Sequence, residues 1–207
     1  MLISLYYSFT EFSVLTKPKW NGLQNYITML TSPSSLFLKS LSVTLIYAGL
    51  NAVLTMIFSI AVALLLNRSF RGRGILRALY FLPSVIPIVA STVVWNWILD
   101  YRNGLMNQLL RMMHLGSLNW LMDNKLIFVS LLAISLWTCG GSIVIMIATL
   151  QDVPRSLIEA VEVDGGNAVD RFRYAVFPSI SPVVFFQLVM CLVNSLQIYA
   201  QSIMLSD

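Results

Sequence analysis

Few of the side chains that ordinarily carry out reactions are present in this sequence. His114 is the only histidine, and Cys139 and Cys191, the only cysteines, each lie inside a long apolar run. One histidine leaves almost no material for a Ser-His-Asp triad or a His-based metal cluster. Two distant thiols form neither a disulfide framework nor a zinc spacing. No G-x-x-x-x-G-K-[ST] string occurs, so no P-loop cradles nucleotide phosphates. His114 reads as a solvated or partner-facing residue. The polar groups within the apolar runs are neutral: Asn51, Asn96, Ser135, Thr138, Gln187, Asn194, Ser195, Gln197, Tyr199 and Gln201. Asn194, Gln197 and Gln201 recur at i, i+3 and i+7 and share one helix face. Such a stripe can hydrogen-bond a hydroxylated solute in passage, and it suits bonding between helices equally well. Trp137 is a candidate for the same path, although Trp95, Trp97 and Trp137 also suit packing or interfacial anchoring. No enzymatic activity, cofactor or metal is expected.

The elements that position these groups follow from composition. Of 207 residues, 57% are hydrophobic and 11% are Asp, Glu, Lys or Arg, less than half the roughly 25% of a soluble domain. Mean hydropathy is +0.78. The chain is read as a membrane protein in contact with lipid. A bilayer core of about 30 Å needs about 20 apolar residues in a helix, and the gaps between ionisable residues define four such spans, at about 40–67, 78–99, 126–150 and 183–205. Pro83 and Pro87 break the second near its beginning, as a packing kink or as part of a solute path. Pro178 and Pro182 make 174–182 an interfacial entry to the fourth. The spans lack ionisable side chains, which disfavours an ion-coupled secondary transporter, the alternative function, because such proteins carry their coupling ion or proton on intramembrane charges.

Arg68, Arg71, Arg73 and Arg77 fall within ten residues with no acid among them, so this loop is expected on the cytoplasmic side. Alternation then puts 152–173 inside, and 1–39 and 100–125 outside. The pI near 9.2 reflects this topological bias rather than a nucleic-acid partner. Segment 152–173 is read as an elbow of two short helices. Asp152 caps the first, with Pro154 in its first turn, and Leu157, Ile158 and Val161 form its apolar stripe. Gly165-Gly166 ends it, and Asn167 caps the second.

Leu157 to Gly166, with Phe172, Phe177-Pro178 and Pro182, resembles the EAA motif of ABC-importer permeases. Glu159, Ala160, Asp164, Gly165 and Pro178 match at the family's spacing, whereas Val161, Ala175 and Phe177 depart from it. Gly22 to Tyr26, Tyr80 to Pro83, Trp95, Gly104 to Asn107, Asn119 to Leu121 and Leu150 to Pro154 extend the resemblance to the carbohydrate-uptake branch of maltose-type and glycerol-phosphate-type permeases. The resemblance implies an all-α, polytopic transmembrane bundle of the type I importer kind, in one permease domain over 1–207. It implies a function too: half of a path for a sugar or related polyol. Its partners would be ATPase subunits, a second permease that is a related but different chain, and an extracytoplasmic solute-binding protein. Glu159, Ala160, Val161, Asp164, Gly165 and Pro178 would couple the chain to the ATPase. Family members usually have six spans, so the expectation is that the first and last helices are missing and that the chain does not transport without them.

Overall fold

The computed structural model describes residues 2–13, 16–32, 36–123 and 125–197. It is overwhelmingly helical, and it divides into two units between Ile46 and Tyr47. The first unit holds α1 (Leu2–Ser8), β1 (Thr10–Ser13), β2 (Thr16–Trp20) and α2 (Gln24–Thr31). The strands pair antiparallel, with Thr10 opposite Trp20 and Glu11 opposite Lys19. This small hairpin was not anticipated from the sequence. Asn25 fastens it by donating from Nδ2 to the carbonyls of Ser8 and Thr10 at 2.9 and 3.0 Å. The Tyr26 hydroxyl donates to Ser8 Oγ at 2.7 Å, and Phe9 stacks on Trp20.

α3 (Phe37–Asn67) is apolar around its whole circumference and long enough to cross a membrane. Its last turn is closed by Arg77, whose Nη2 donates to the Leu66 carbonyl at 3.0 Å. A cation at a helix C-terminus also opposes the negative end of the macrodipole.

The expected 78–99 span is sharply bent in the structure. α4 (Arg73–Val85) and α5 (Ile88–Leu99) meet at 103°, and helices of 13 and 12 residues reach only about 18–20 Å each. The break falls at Pro87, which pushes Ile86 into an extended conformation (ψ 130°). Pro83 lies within the last turn of α4 and breaks nothing. After α6 (Leu105–Met112), α7 (Leu126–Thr138) and α8 (Gly140–Gln151) form a second bent pair, at 49°. The bend sits at the Gly140-Gly141 pair, a recognised cause of kinks.

The elbow departs from expectation in two ways. Asp152 closes the end of α8 and caps nothing with its side chain. α9 (Arg155–Val163) starts after Pro154, which occupies the cap position. The second short helix is not separate either: it is the beginning of α10 (Ala168–Leu196), continuous for 29 residues. The helix that carries the fourth span therefore begins well before Val183, and 174–182 is continuous with it. Continuity through two prolines has a local cause. Arg171–Val176 is π-wound just before Pro178, which absorbs a lost amide donor. Ser181 Oγ donates at 2.9 Å to the Pro178 carbonyl, the one that Pro182 deprives of its helical partner.

The core of the second unit lies where α3, α8 and α10 converge on Met56, Ala63, Leu66, Ile143, Met146, Ile147 and Ile180. The segment between α5 and α7 is knotted around Asn107, whose side chain is fully buried. Its Nδ2 donates to the carbonyls of Tyr101 and Leu118, at 3.1 and 2.9 Å. Its Oδ1 accepts from Leu118 N and Trp120 Nε1, both at 3.0 Å. One amide thus joins two of the strings singled out in the sequence. At the far end, the amides of Lys125 and Leu126 donate to Asp123 Oδ1 and hold its carboxyl below the usual carboxylate range.

Candidate functional site

Within the second unit, α3, α7, α8 and α10 enclose a cavity of about 480 Å³. Its polar lining is Asn51 and Thr55 from α3, Ser135 and Thr138 from α7, Ser142 from α8, and Gln187, Asn194, Ser195 and Gln197 at the end of the chain's last described helix. Ile88, Phe186 and Met190 supply apolar walls, Tyr47 adds a buried phenol, and no ionisable acid, lysine, arginine or histidine lines it. Most of the neutral polar residues read from the sequence therefore converge on one space. Thr55 and Ser142 belong there as well and were missed, since a single hydroxyl in an apolar helix carries no periodic signal. Asn96 is not part of the lining, and Tyr199 and Gln201 lie outside the described residues.

The two roles weighed for the polar stripe separate here. Asn51 and Ser195 bond helix to helix: Asn51 Nδ2 donates to Ser195 Oγ at 2.8 Å, and Ser195 Oγ donates to the Cys191 carbonyl at 2.7 Å. Gln187 is 5% exposed. Its Nε2 reaches the Ser142 carbonyl at a long 3.4 Å, and its Oε1 has no partner among the described residues. An acceptor left bare in an apolar surrounding costs about 1–3 kcal/mol, which a hydroxyl entering the cavity offsets. Asn194 and Gln197 line the same space one turn apart, with Gln197 just beyond the end of α10.

Trp137 does not join them. It meets Trp95 edge to face, with centroids 5.7 Å apart, and lines a separate apolar cleft with Phe58, Leu76, Leu79, Tyr80, Pro83 and Leu136. Packing accounts for it.

The elbow residues occupy a different surface. Gly165 has φ +80°, a conformation costly to any residue with a Cβ. Its amide donates to the Glu162 carbonyl at 3.0 Å, and that of Gly166 to the Val161 carbonyl at 2.8 Å. Those two bonds are a Schellman motif. On the far side of the turn, Asn167 Oδ1 accepts from the amides of Val169 and Asp170, while Asp170 Oδ2 accepts from the amide of Asn167. This reciprocal box starts α10. Glu162 and Arg171 form an ion pair across the turn, a link that no helical spacing announces. Glu159 and Ala160 are exposed on α9 and Asp164 at its C-terminal cap, flanked by Val163 at 87% exposure and Val169 at 71%. Val161 is half-buried against Gly166. Pro178 lies well along α10 and contributes to the helix path rather than to this face.

Comparison with known proteins accords with this arrangement. Residues 55–205 match the family described as the binding-protein-dependent transport system inner membrane component. The chain is 33% identical over 205 residues to the probable ABC transporter permease protein YesP of Bacillus subtilis (strain 168), covering 98% of this chain and 66% of that one. It is 29% identical to the trehalose/maltose transport system permease protein MalF of Thermococcus litoralis, over 86% of this chain and 60% of the relative. It therefore spans somewhat less than two thirds of the length of these relatives. The fold is similar to that of a chain from the crystal structure of a bacterial ABC transporter involved in the import of the acidic polysaccharide alginate. There the TM-score is 0.82 at 20% identity, over 100% of this chain and 73% of that one. By sequence match, helical architecture and apolar spans alike, the chain belongs to the family of binding-protein-dependent transport system inner membrane components.

Proposed function

We propose that the chain is the membrane-spanning part of an ATP-binding-cassette importer, forming half of a translocation path for a sugar or related polyol. The observation that carries this reading is the cavity between α3, α7, α8 and α10, lined by amides and hydroxyls and by no charge. Hydroxyl-rich solutes exchange water for such groups without the desolvation cost of an ion. The names of the relatives, trehalose/maltose transport among them, point to the same solute class.

ATP hydrolysis belongs to a separate subunit, since the chain has no phosphate-cradling loop. The elbow docks that subunit: Glu159 offers a charge, Ala160 allows close approach, and exposed Val163 and Val169 offer apolar contact. With Arg68–Arg77 and the elbow on the cytoplasmic side, segment 100–125 faces an extracytoplasmic solute-binding protein, and a second permease completes the path. One solved relative of the fold is in complex with an alginate pentasaccharide-bound periplasmic protein.

The test is reconstitution in vesicles of the chain, extended by the first and last helices that the family resemblance implies, with ATPase subunits, a second permease and a solute-binding protein. ATP-driven uptake of a labelled oligosaccharide is expected, and Asn194→Leu should lower it by about tenfold, the loss of one or two hydrogen bonds, while ATP hydrolysis persists. Uptake driven by an ion gradient without ATP would overturn the proposal.

A further inference from the structure

Below the core, α3, α9 and the first turns of α10 enclose a second cleft, of about 800 Å³. Its walls are apolar, with Leu64 and Leu65 from α3 facing Phe172 and Val176 from α10, and two arginines, Arg68 and Arg171, stand among them. The two cations differ in what they have available. Arg171 is paired with Glu162 across the elbow. Arg68 is exposed and directly follows the last residue of α3; its amide donates to the Leu65 carbonyl, and its guanidinium has no hydrogen-bond or ion-pair partner among the described residues. Arg77, the other arginine near this helix end, is occupied by the Leu66 carbonyl.

We infer that this cleft holds an anionic phospholipid, with its phosphate on Arg68 and an acyl chain along Leu64, Leu65, Phe172 and Val176. Three observations choose this occupant. The cleft lies at the end of a membrane-crossing helix, the depth at which a headgroup meets its chains. Its lining is almost wholly apolar apart from the arginines, which suits a chain capped by a phosphate better than a sugar or a peptide. The loop from Arg68 to Arg77 contains four arginines and no acid, so its field attracts a negative headgroup. The elbow itself carries more acids than bases, and for that reason the charge preference is assigned to Arg68 rather than to the whole surface. The inference does not depend on which solute the chain carries.

The experiment places a fluorescent reporter in the cleft by Leu65→Trp, reads its signal as the difference from the parent chain with its five native tryptophans, and moves the full chain into nanodiscs. These contain graded fractions of phosphatidylglycerol or phosphatidylcholine with brominated chains, which quench indole on contact. Half-maximal quenching of the introduced indole is expected at about fivefold lower mole fraction for phosphatidylglycerol, the preference conferred by one surface arginine. Arg68→Gln should abolish this preference and Arg68→Lys should retain much of it. Arg73→Gln, in the same loop but outside the cleft, should leave it unchanged. Equal quenching by the two lipids would overturn the inference. So would loss of the preference in Arg73→Gln to the same degree, which would mean a general surface potential. An indole that neither lipid quenches would mean that a protein segment fills the cleft, which also overturns it.

Discussion

At the scale of single residues, the consequential groups are those whose polar atoms are exposed or left over. Glu159 is exposed on α9 with no ion pair among the described residues, whereas Glu162, less than one turn away, is committed to Arg171. Glu159→Lys is therefore expected to leave the elbow folded and to weaken co-purification of the ATPase subunit by at least about tenfold. Unchanged co-purification together with unchanged transport would remove Glu159 from the docking face. Asn194 and Gln197 were legible because helical spacing puts them on one side of an apolar run. Gln187 was visible as a polar residue, but its unpartnered Oε1 is a property of three-dimensional packing. Asn107 hid for the same reason: its partners are carbonyls and an indole whose approach depends on a folded loop.

At the scale of elements, hydropathy located the apolar segments, and local chemistry located the turn at Gly165 and the cap at Asn167. It could not set angles or continuity. A proline in an apolar run announces a lost amide bond, yet whether the helix bends depends on what compensates. Ser181 and a π-wound turn keep α10 continuous past Pro178 and Pro182, whereas at Pro87 the freed Pro83 carbonyl is taken by the Ile86 amide in a tightened last turn, which ends α4 and turns the chain by 103°. The hairpin at β1 and β2 escaped because its segment is short, polar and interrupted by Pro18. The crossing of α4 on α8 offers a direct test. A Cβ at Gly140 would overlap the Tyr80 carbonyl and stand 2.9 Å from Phe81 Cα, whereas one at Gly141 meets nothing within 4 Å. Gly140→Ala should destabilise the chain by about 1–3 kcal/mol, the cost of overpacking a close contact. Gly141→Ala should be neutral or stabilising by up to about 1 kcal/mol. Thermal unfolding in detergent separates the two, and equal midpoints would contradict the close crossing.

At the scale of the whole molecule, the two thiols report on the cavity, because Cys139 and Cys191 both line it. In a Cys139→Ser background, a small polar methanethiosulfonate should modify Cys191, and saturating transported solute should slow the reaction. Labelling that ignores the solute would dissociate the cavity from the path. α10 connects this space to the elbow without interruption. Twenty-nine residues at 1.5 Å each make a rod of about 43 Å, one end clamped by the Schellman turn and the Asn167 box, the other bordering the cavity. Tilting such a rod by about 5° at its clamped end carries the far end about 4 Å, farther than the 2.8 Å between Asn51 Nδ2 and Ser195 Oγ. A tilt of a few degrees at the elbow would therefore suffice to part the α3–α10 hydrogen bond, so the geometry of this single helix magnifies any displacement at its clamped end.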